Sequence, residues 1–196
     1  MTSVPSQPPE PQGHLVLLRH GETEWSKSGQ HTGLTDLPLL PEGEEAARRV
    51  ADLLSGWTFA RVLVSPLQRA RRTAELAGLT EYEIDPRLKE WDYGGYEGLT
   101  TKEIRETVPG WTVFTDPCPG GETLAQVAER ADRVVARLRE MQGVVLVVAH
   151  GHLLRVLAAR WLGLDPIVGR HLELDVATVS QLGTERSTPT IEVWNA

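Results

Sequence analysis

Two histidines in this chain each end a short apolar run and precede a glycine: His20 in Leu17-Leu18-Arg19-His20-Gly21 and His150 in Val148-Ala149-His150-Gly151. An imidazole with an ordinary pKa near 6.5 offers a neutral nitrogen at pH 7, so it can attack phosphorus without strong activation. Two guanidiniums accompany the histidines, Arg19 beside the first and Arg69 in Ser65-Pro66-Leu67-Gln68-Arg69-Ala70. Such planar, forked cations suit the paired recognition of phosphoryl oxygens. The four groups describe an anion pocket in which one histidine attacks phosphorus and the other helps to hold the charge.

Passing the phosphoryl group through a phosphohistidine replaces one difficult displacement with two easier ones. Positioning and stabilisation of charge on the equatorial oxygens supply most of the remaining catalysis. The leaving alcohol then needs a proton, and the attacking water must later lose one; a single carboxyl group can serve both steps. Glu90, in Lys89-Glu90-Trp91-Asp92-Tyr93, follows the bend at Asp85-Pro86 and opens a glycine-rich stretch. On local sequence Asp92 and Glu97 compete with it.

The elements that must carry these groups are legible in outline. Strand signals fall at 14–18, 60–65, 82–85, 144–149, 177–183 and 189–194, with helical signals between them. Pro41 suits a first helical turn, and Ala46, Ala47, Val50, Leu53 and Leu54 follow at helical spacing until Gly56. Ser65-Pro66 reads as an N-cap and first-turn proline opening a helix over 67–77. Thr100 with Glu103 and Thr123 with Gln126 read as capping boxes, the second opening a helix to about Met141. A last helix runs from His152 to Leu162 and closes at Gly163. Alternating short strands and helices predict a three-layer α/β/α sandwich with a mostly parallel central sheet, and the last two strands as an antiparallel edge. Ligands of such sheets bind beyond the carboxyl ends of the strands, where Arg19, His20 and His150 stand. The stretch 91–121, rich in glycine, proline and aromatic residues, breaks the rhythm and reads as a functional loop or lid.

Composition narrows the class. A chain of 196 residues with 40% hydrophobic residues suffices for one domain over 14–196, preceded by a proline-, serine- and glutamine-rich leader at 1–13 read as disordered. A net charge of −7 argues against a nucleic-acid surface. The lone cysteine, Cys118, fits a reducing compartment, and no apolar run approaches the ~20 residues of a membrane span, so a cytoplasmic setting is expected. The partner expected is a small phosphorylated metabolite, with no nucleic acid and no membrane. Oligomeric state stays open, a homodimer included.

At this point the chain resembles the histidine phosphatase superfamily, in its phosphoglycerate-mutase-like branch. Arg19-His20-Gly21-Glu22-Thr23 is similar to the family's phosphohistidine signature, and Ser65 to Ala74 to its second arginine motif. Glu90-Trp91-Asp92-Tyr93-Gly94 is similar to its proton-donor segment, and Ala149-His150-Gly151 to its second histidine. The motifs occur in family order between 14 and about 155. The resemblance implies His20 as the phosphorylated residue, Arg19, Arg69 and His150 as phosphate binders, and Glu90 as proton donor. Glu24 to Asp36 resembles sedoheptulose-1,7-bisphosphatase-type members, which implies substrate contacts at Ser26, Thr32 and Gly33, with Gly151 beside the second histidine. Mutases usually carry asparagine at the position of Ser26. Their second arginine pair, which grips the far anionic end of the substrate, has no counterpart in Pro109 to Pro119. That difference favours net hydrolysis over phosphoryl return.

Other side chains have plainer readings. Arg71 and Arg72 suit a solvated helix face, and Arg155 a structural place one turn into the last helix. His152 suits a helix N-terminus rather than a metal site, and His14, His31 and His171 receive no role. Trp91, Tyr93, Tyr96, Trp111 and Phe114 either roof the pocket or pack the core. Cys118 lacks an arginine six positions on, where Leu124 stands, so no cysteine-phosphatase loop is present. Nucleotide-binding glycine loops are absent too, and the chemistry calls for no metal or other cofactor. The expected activity is a metal-independent phosphomonoesterase acting on a sugar phosphate or bisphosphate. Mutase-type phosphoryl transfer and a non-catalytic phosphate-binding regulatory module are the alternatives.

Overall fold

Leu15–Arg19 is apolar at four successive positions, as a strand covered on both faces must be, and forms β1. Arg61–Val64 forms β2, Glu83–Ile84 β3, Val145–Ala149 β4, Val179–Glu185 β5 and Thr188–Val193 β6. The computed structural model describes residues 14–196, so the leader expected over 1–13 lies outside the described residues. The six strands lie in the order β3-β2-β4-β1-β5-β6. The β3–β2, β2–β4 and β4–β1 pairs are parallel, while β5 runs antiparallel to β1 and β6 to β5. The mostly parallel sheet with an antiparallel edge is therefore as expected.

Alternation along the strands divides the core. Val16, Leu18, Val64, Leu146 and Val148 face Val50, Leu54, Ala70 and Ala74. The latter belong to helices α2 (Pro41–Leu54) and α3 (Gln68–Leu76). Leu15, Leu17, Leu63, Val145 and Val147 face the other way, onto Val127, Ala131, Val134, Leu153 and Leu157. Those residues lie on α5 (Leu124–Glu140) and α6 (Gly151–Trp161). Two short helices complete the set, α1 (Glu24–Ser28) and α4 (Thr101–Thr107). Both expected capping boxes form, Thr100 with Glu103 and Thr123 with Gln126. Thr23 and Ser26 form a third at α1, hidden in the sequence because serine stands where glutamate or glutamine usually marks the motif.

Register sets the position of the chemistry. Arg19 pairs with Ala149 across β1 and β4, so His20 and His150 emerge side by side, one residue beyond. The His20 amide donates to the Ala149 carbonyl at 3.0 Å, and the Ser65 amide to that of Val148, also at 3.0 Å. Three strand ends thus deliver Ser65, His150 and His20 to one edge of the sheet.

Ser65 is not the N-cap the sequence suggested. Helix α3 starts at Gln68 behind Leu67, which makes no side-chain cap. The Gln68 amide is instead met by Asp36 Oδ1 at 2.7 Å, from a loop 32 residues earlier. The Ser65 hydroxyl faces His150 at 2.7 Å.

Candidate active site

His20 is 4% exposed. Its Nδ1 lies 2.7 Å from the Gly21 carbonyl, which can only accept, so Nδ1 carries the proton and Nε2 keeps its lone pair. Burial pushes the pKa well below the ordinary 6.5, and the nearby Arg69 and Arg19 cations push in the same direction. A neutral, correctly tautomeric imidazole is what nucleophilic attack needs. Gly21 is required for close packing, since a Cβ there would stand 2.5 Å from the Gly43 carbonyl oxygen.

His150 lies fully buried, its ring centroid 5.1 Å from that of His20. The Arg69 Nε–H donates to its Nδ1 at 3.2 Å. Because a guanidinium only donates, Nδ1 must be the unprotonated nitrogen, and Nε2–H is left to donate to Ser65 Oγ at 2.7 Å. Burial, then Arg69 and His20, lower its pKa well below 6.5. Arg69 is itself buried, and its Nη1 and Nη2 donate to the carbonyls of Thr35, Thr32 and Gly33 at 2.8–3.1 Å. Both ring nitrogens of His150 and most donors of Arg69 are therefore engaged within the protein.

Arg19 has spare donor capacity. One Nη donates to the Leu174 carbonyl, while the buried Nε has no hydrogen-bond partner. An unpaired buried donor costs roughly 1–3 kcal/mol. Gly151 makes room for this side chain, because a Cβ there would sit 3.3 Å from the guanidinium carbon.

Glu90 is 5% exposed, and its carboxylate is bonded to backbone amides. Its Oε1 accepts from the amides of Trp91 (2.8 Å) and Leu153 (2.9 Å), and Oε2 from that of His152 (3.0 Å). The carboxylate thereby also caps α6, where the helix dipole favours negative charge. Arg130 holds the segment from behind, donating to the Arg87, Lys89 and Glu90 carbonyls and pairing with Glu122. Asp92 and Glu97 are used elsewhere. Asp92 Oδ1 caps the Gly94 amide, and Glu97 Oε1 accepts from Gly33 and Thr35.

A cavity of about 180 Å³ opens here, and Arg19, His20, Glu90 and Gly151 line it. Ser26 and Thr32 line it as well, although the Ser26 hydroxyl is also part of the Thr23 capping box. Gly33 does not reach the cavity. It packs where a Cβ would stand 2.5 Å from the Trp91 carbonyl oxygen, and it holds Arg69 through its own carbonyl.

Several lining residues were given no part by the sequence. His31 borders the cavity and packs on Tyr93, Trp111 and His152, and burial lowers its pKa to about 4. His152 Nδ1 lies 2.6 Å from the Tyr93 hydroxyl. Arg155 is both structural and lining: it donates to the Gly169 and Arg170 carbonyls, lies over the Phe114 ring, and borders the cavity. The contacts of His31 and His152 join segments about 60 to 120 residues apart, so no local signal marks them. Among the described residues no cluster of three or more histidine, cysteine, aspartate or glutamate side chains could hold a metal ion. None of their helices is long and apolar enough to cross a membrane.

Comparison with known proteins agrees with this architecture. The family model for the histidine phosphatase superfamily (branch 1) matches residues 15–196. An acid phosphatase from Mycobacterium tuberculosis is 43% identical over 91% of this chain and 90% of its own length. A sedoheptulose 1,7-bisphosphatase from Saccharomyces cerevisiae is 38% identical over 76% of this chain and 67% of its own. The solved structure of an open reading frame product from Mycobacterium tuberculosis superposes with a TM-score of 0.90 at 43% identity, covering 93% of this chain and 97% of that one.

Proposed function

The chain belongs to the histidine phosphatase superfamily, branch 1, and on that premise we propose that it is a metal-independent phosphomonoesterase working through a phosphohistidine on His20. Relatives named as phosphatases support hydrolysis. The observation that carries the mechanism is the fixed tautomer of His20, which leaves Nε2 unprotonated on a side chain that lines the cavity together with Arg19, whose Nε has no partner.

In the first step Nε2 attacks phosphorus and the ester oxygen leaves, taking a proton from Glu90. In the second, water attacks the phosphohistidine, Glu90 takes a proton from it, and phosphate departs. Arg19 and the α6 N-terminus oppose the charge on the equatorial oxygens. Arg69 adds positive charge close to His20, and the neutral His150 is hydrogen-bonded to Arg69. The substrate is a small phosphorylated metabolite, a sugar phosphate or bisphosphate, in keeping with the relative named a sedoheptulose bisphosphatase. The missing arginine pair at 109–119 favours release of product over its return to the phosphohistidine.

Hydrolysis of a chromogenic aryl phosphate by the wild type, set beside His20→Ala, tests this reading. Rapid release by the wild type and its loss in the variant are expected. Equal, slow release by both would overturn it.

A further inference from the structure

We propose that Asn195 is a positioning residue for Arg19, acting through the segment 173–178. The inference rests on the reading of Arg19 as a phosphate-gripping group. Opposite its β4 neighbour, the Arg19 backbone is met by that segment. Its amide donates to the Thr178 carbonyl at 3.2 Å, and the Ala177 amide approaches the carbonyls of both Arg19 and His20 at 3.1 Å. Its guanidinium donates to the Leu174 carbonyl, and Leu174 also lines the cavity. Where Leu174 lies therefore decides which guanidinium edge faces the phosphate.

Within the segment, Leu174 is buried in the core and the Thr178 hydroxyl donates to the Asp175 carbonyl at 2.8 Å. Neither a strand nor a helix covers 172–178. It is further tied down by the residues after β6. Asn195 Oδ1 accepts from the Asp175 amide at 2.7 Å, and Asn195 Nδ2 donates to Asp175 Oδ2 at 2.9 Å. The Asn195 amide donates to the buried Ser180 hydroxyl at 3.0 Å, and the Trp194 indole donates to the Glu173 carbonyl. The backbone of Ala196 pairs with that of Val179 in both directions. Asn195 has φ +59, a left-handed conformation that asparagine tolerates better than most residues. The residue thus meets two demands: a backbone turn few side chains accept, and a side chain that donates and accepts on the same aspartate.

The backbone demand allows a clean test, because glycine satisfies it while deleting the clip. In the full chain, Asn195→Gly is expected to weaken inorganic phosphate as a ligand and competitive inhibitor by about threefold to tenfold, the scale of one or two net hydrogen bonds. KM for an aryl phosphate should rise with it, kcat should change less, and thermal stability should stay near that of the wild type. In an Arg19→Ala background the same substitution should change phosphate affinity no further, since residues acting through one another are not additive. Unchanged phosphate affinity in Asn195→Gly, or full additivity with Arg19→Ala, would overturn the proposal. A wild type that neither binds phosphate nor hydrolyses the ester would instead remove the functional reading beneath it, a result distinguishable from both.

Discussion

The Nε–H of Arg69 points at Nδ1 of His150 across 3.2 Å, and this one contact fixes which nitrogen of the second histidine carries a proton. A guanidinium that never accepts forces the hydrogen onto Nε2, and Nε2 in turn needs the Ser65 hydroxyl. Ser65→Ala leaves that buried N–H without a partner, at a cost of roughly 1–3 kcal/mol. Urea denaturation should show a lower midpoint with an unchanged slope, and kcat/KM should fall as His150 and Arg69 lose their mutual alignment. Ser65→Thr, which keeps the hydroxyl, should recover part of the activity.

Four imidazoles at or beside the cavity are held neutral. Burial comes first among the causes for each, and lowers His31 to about 4 and His20, His150 and His152 well below the ordinary 6.5. Between the folded values and 6.5 the unfolded chain binds protons that the native protein does not. Stability is therefore fully present above about pH 6.5 and declines as pH falls towards the folded values, by up to about 1.4 kcal/mol per pH unit for each histidine. Denaturation at pH 7.0 and 5.5 should show the loss, and His31→Gln should reduce it. A loss of the same size in His31→Gln would contradict this assignment. For the same reason the acid limb of the kcat/KM profile should show no inflection at 6.5 from His20.

Two glycines separate binding from architecture. Gly151→Ala places a methyl 3.3 Å from the Arg19 guanidinium carbon, so KM should rise while the fold survives. Gly33→Ala meets the Trp91 carbonyl oxygen at 2.5 Å and the Glu97 carboxylate at 2.7 Å. Backbone must move there, and the expected signature is a lower melting temperature alongside lost activity. A Gly33→Ala protein of wild-type stability with only a raised KM would restore Gly33 to direct substrate contact.

Glu90 caps α6, and the proton transfer proposed for it can be tested apart from that cap. Glu90→Gln keeps an acceptor oxygen for the Trp91 and Leu153 amides but cannot exchange a proton. Loss of a general acid of this kind costs about 10²- to 10⁴-fold in rate. An activated ester whose leaving group needs no proton should be affected much less in the phosphorylation step. Equal losses for activated and unactivated esters would reduce Glu90 to its capping role.

Much of this was legible in the chain, for reasons that particular residues show. The apolar runs before His20 and His150 specify two buried strands, and strands of one parallel sheet bring equivalent ends together; the Arg19–Ala149 register does the rest. Thr100 and Thr123 announce their helices because a capping box is a local device. Ser65 was misread for the same reason: its rule is local, whereas its partner lies 85 residues away on β4's far end. His31 had no local signature either, since its neighbours Tyr93, Trp111 and His152 meet it only after the loops close. Nothing local marks Arg130 either, yet it clamps the carbonyls around Glu90. Side chains that answer to distant backbone leave no periodic trace.

The central claim is that phosphate passes through Nε2 of His20. Quenching turnover of a labelled phosphoester within the first cycle, then mapping the label, tests it most directly. The account predicts an acid-labile, base-stable phosphate on the peptide containing His20, formed and lost at rates consistent with turnover and absent from His20→Ala. Steady turnover with no such adduct, or a label that persists in His20→Ala, would contradict it.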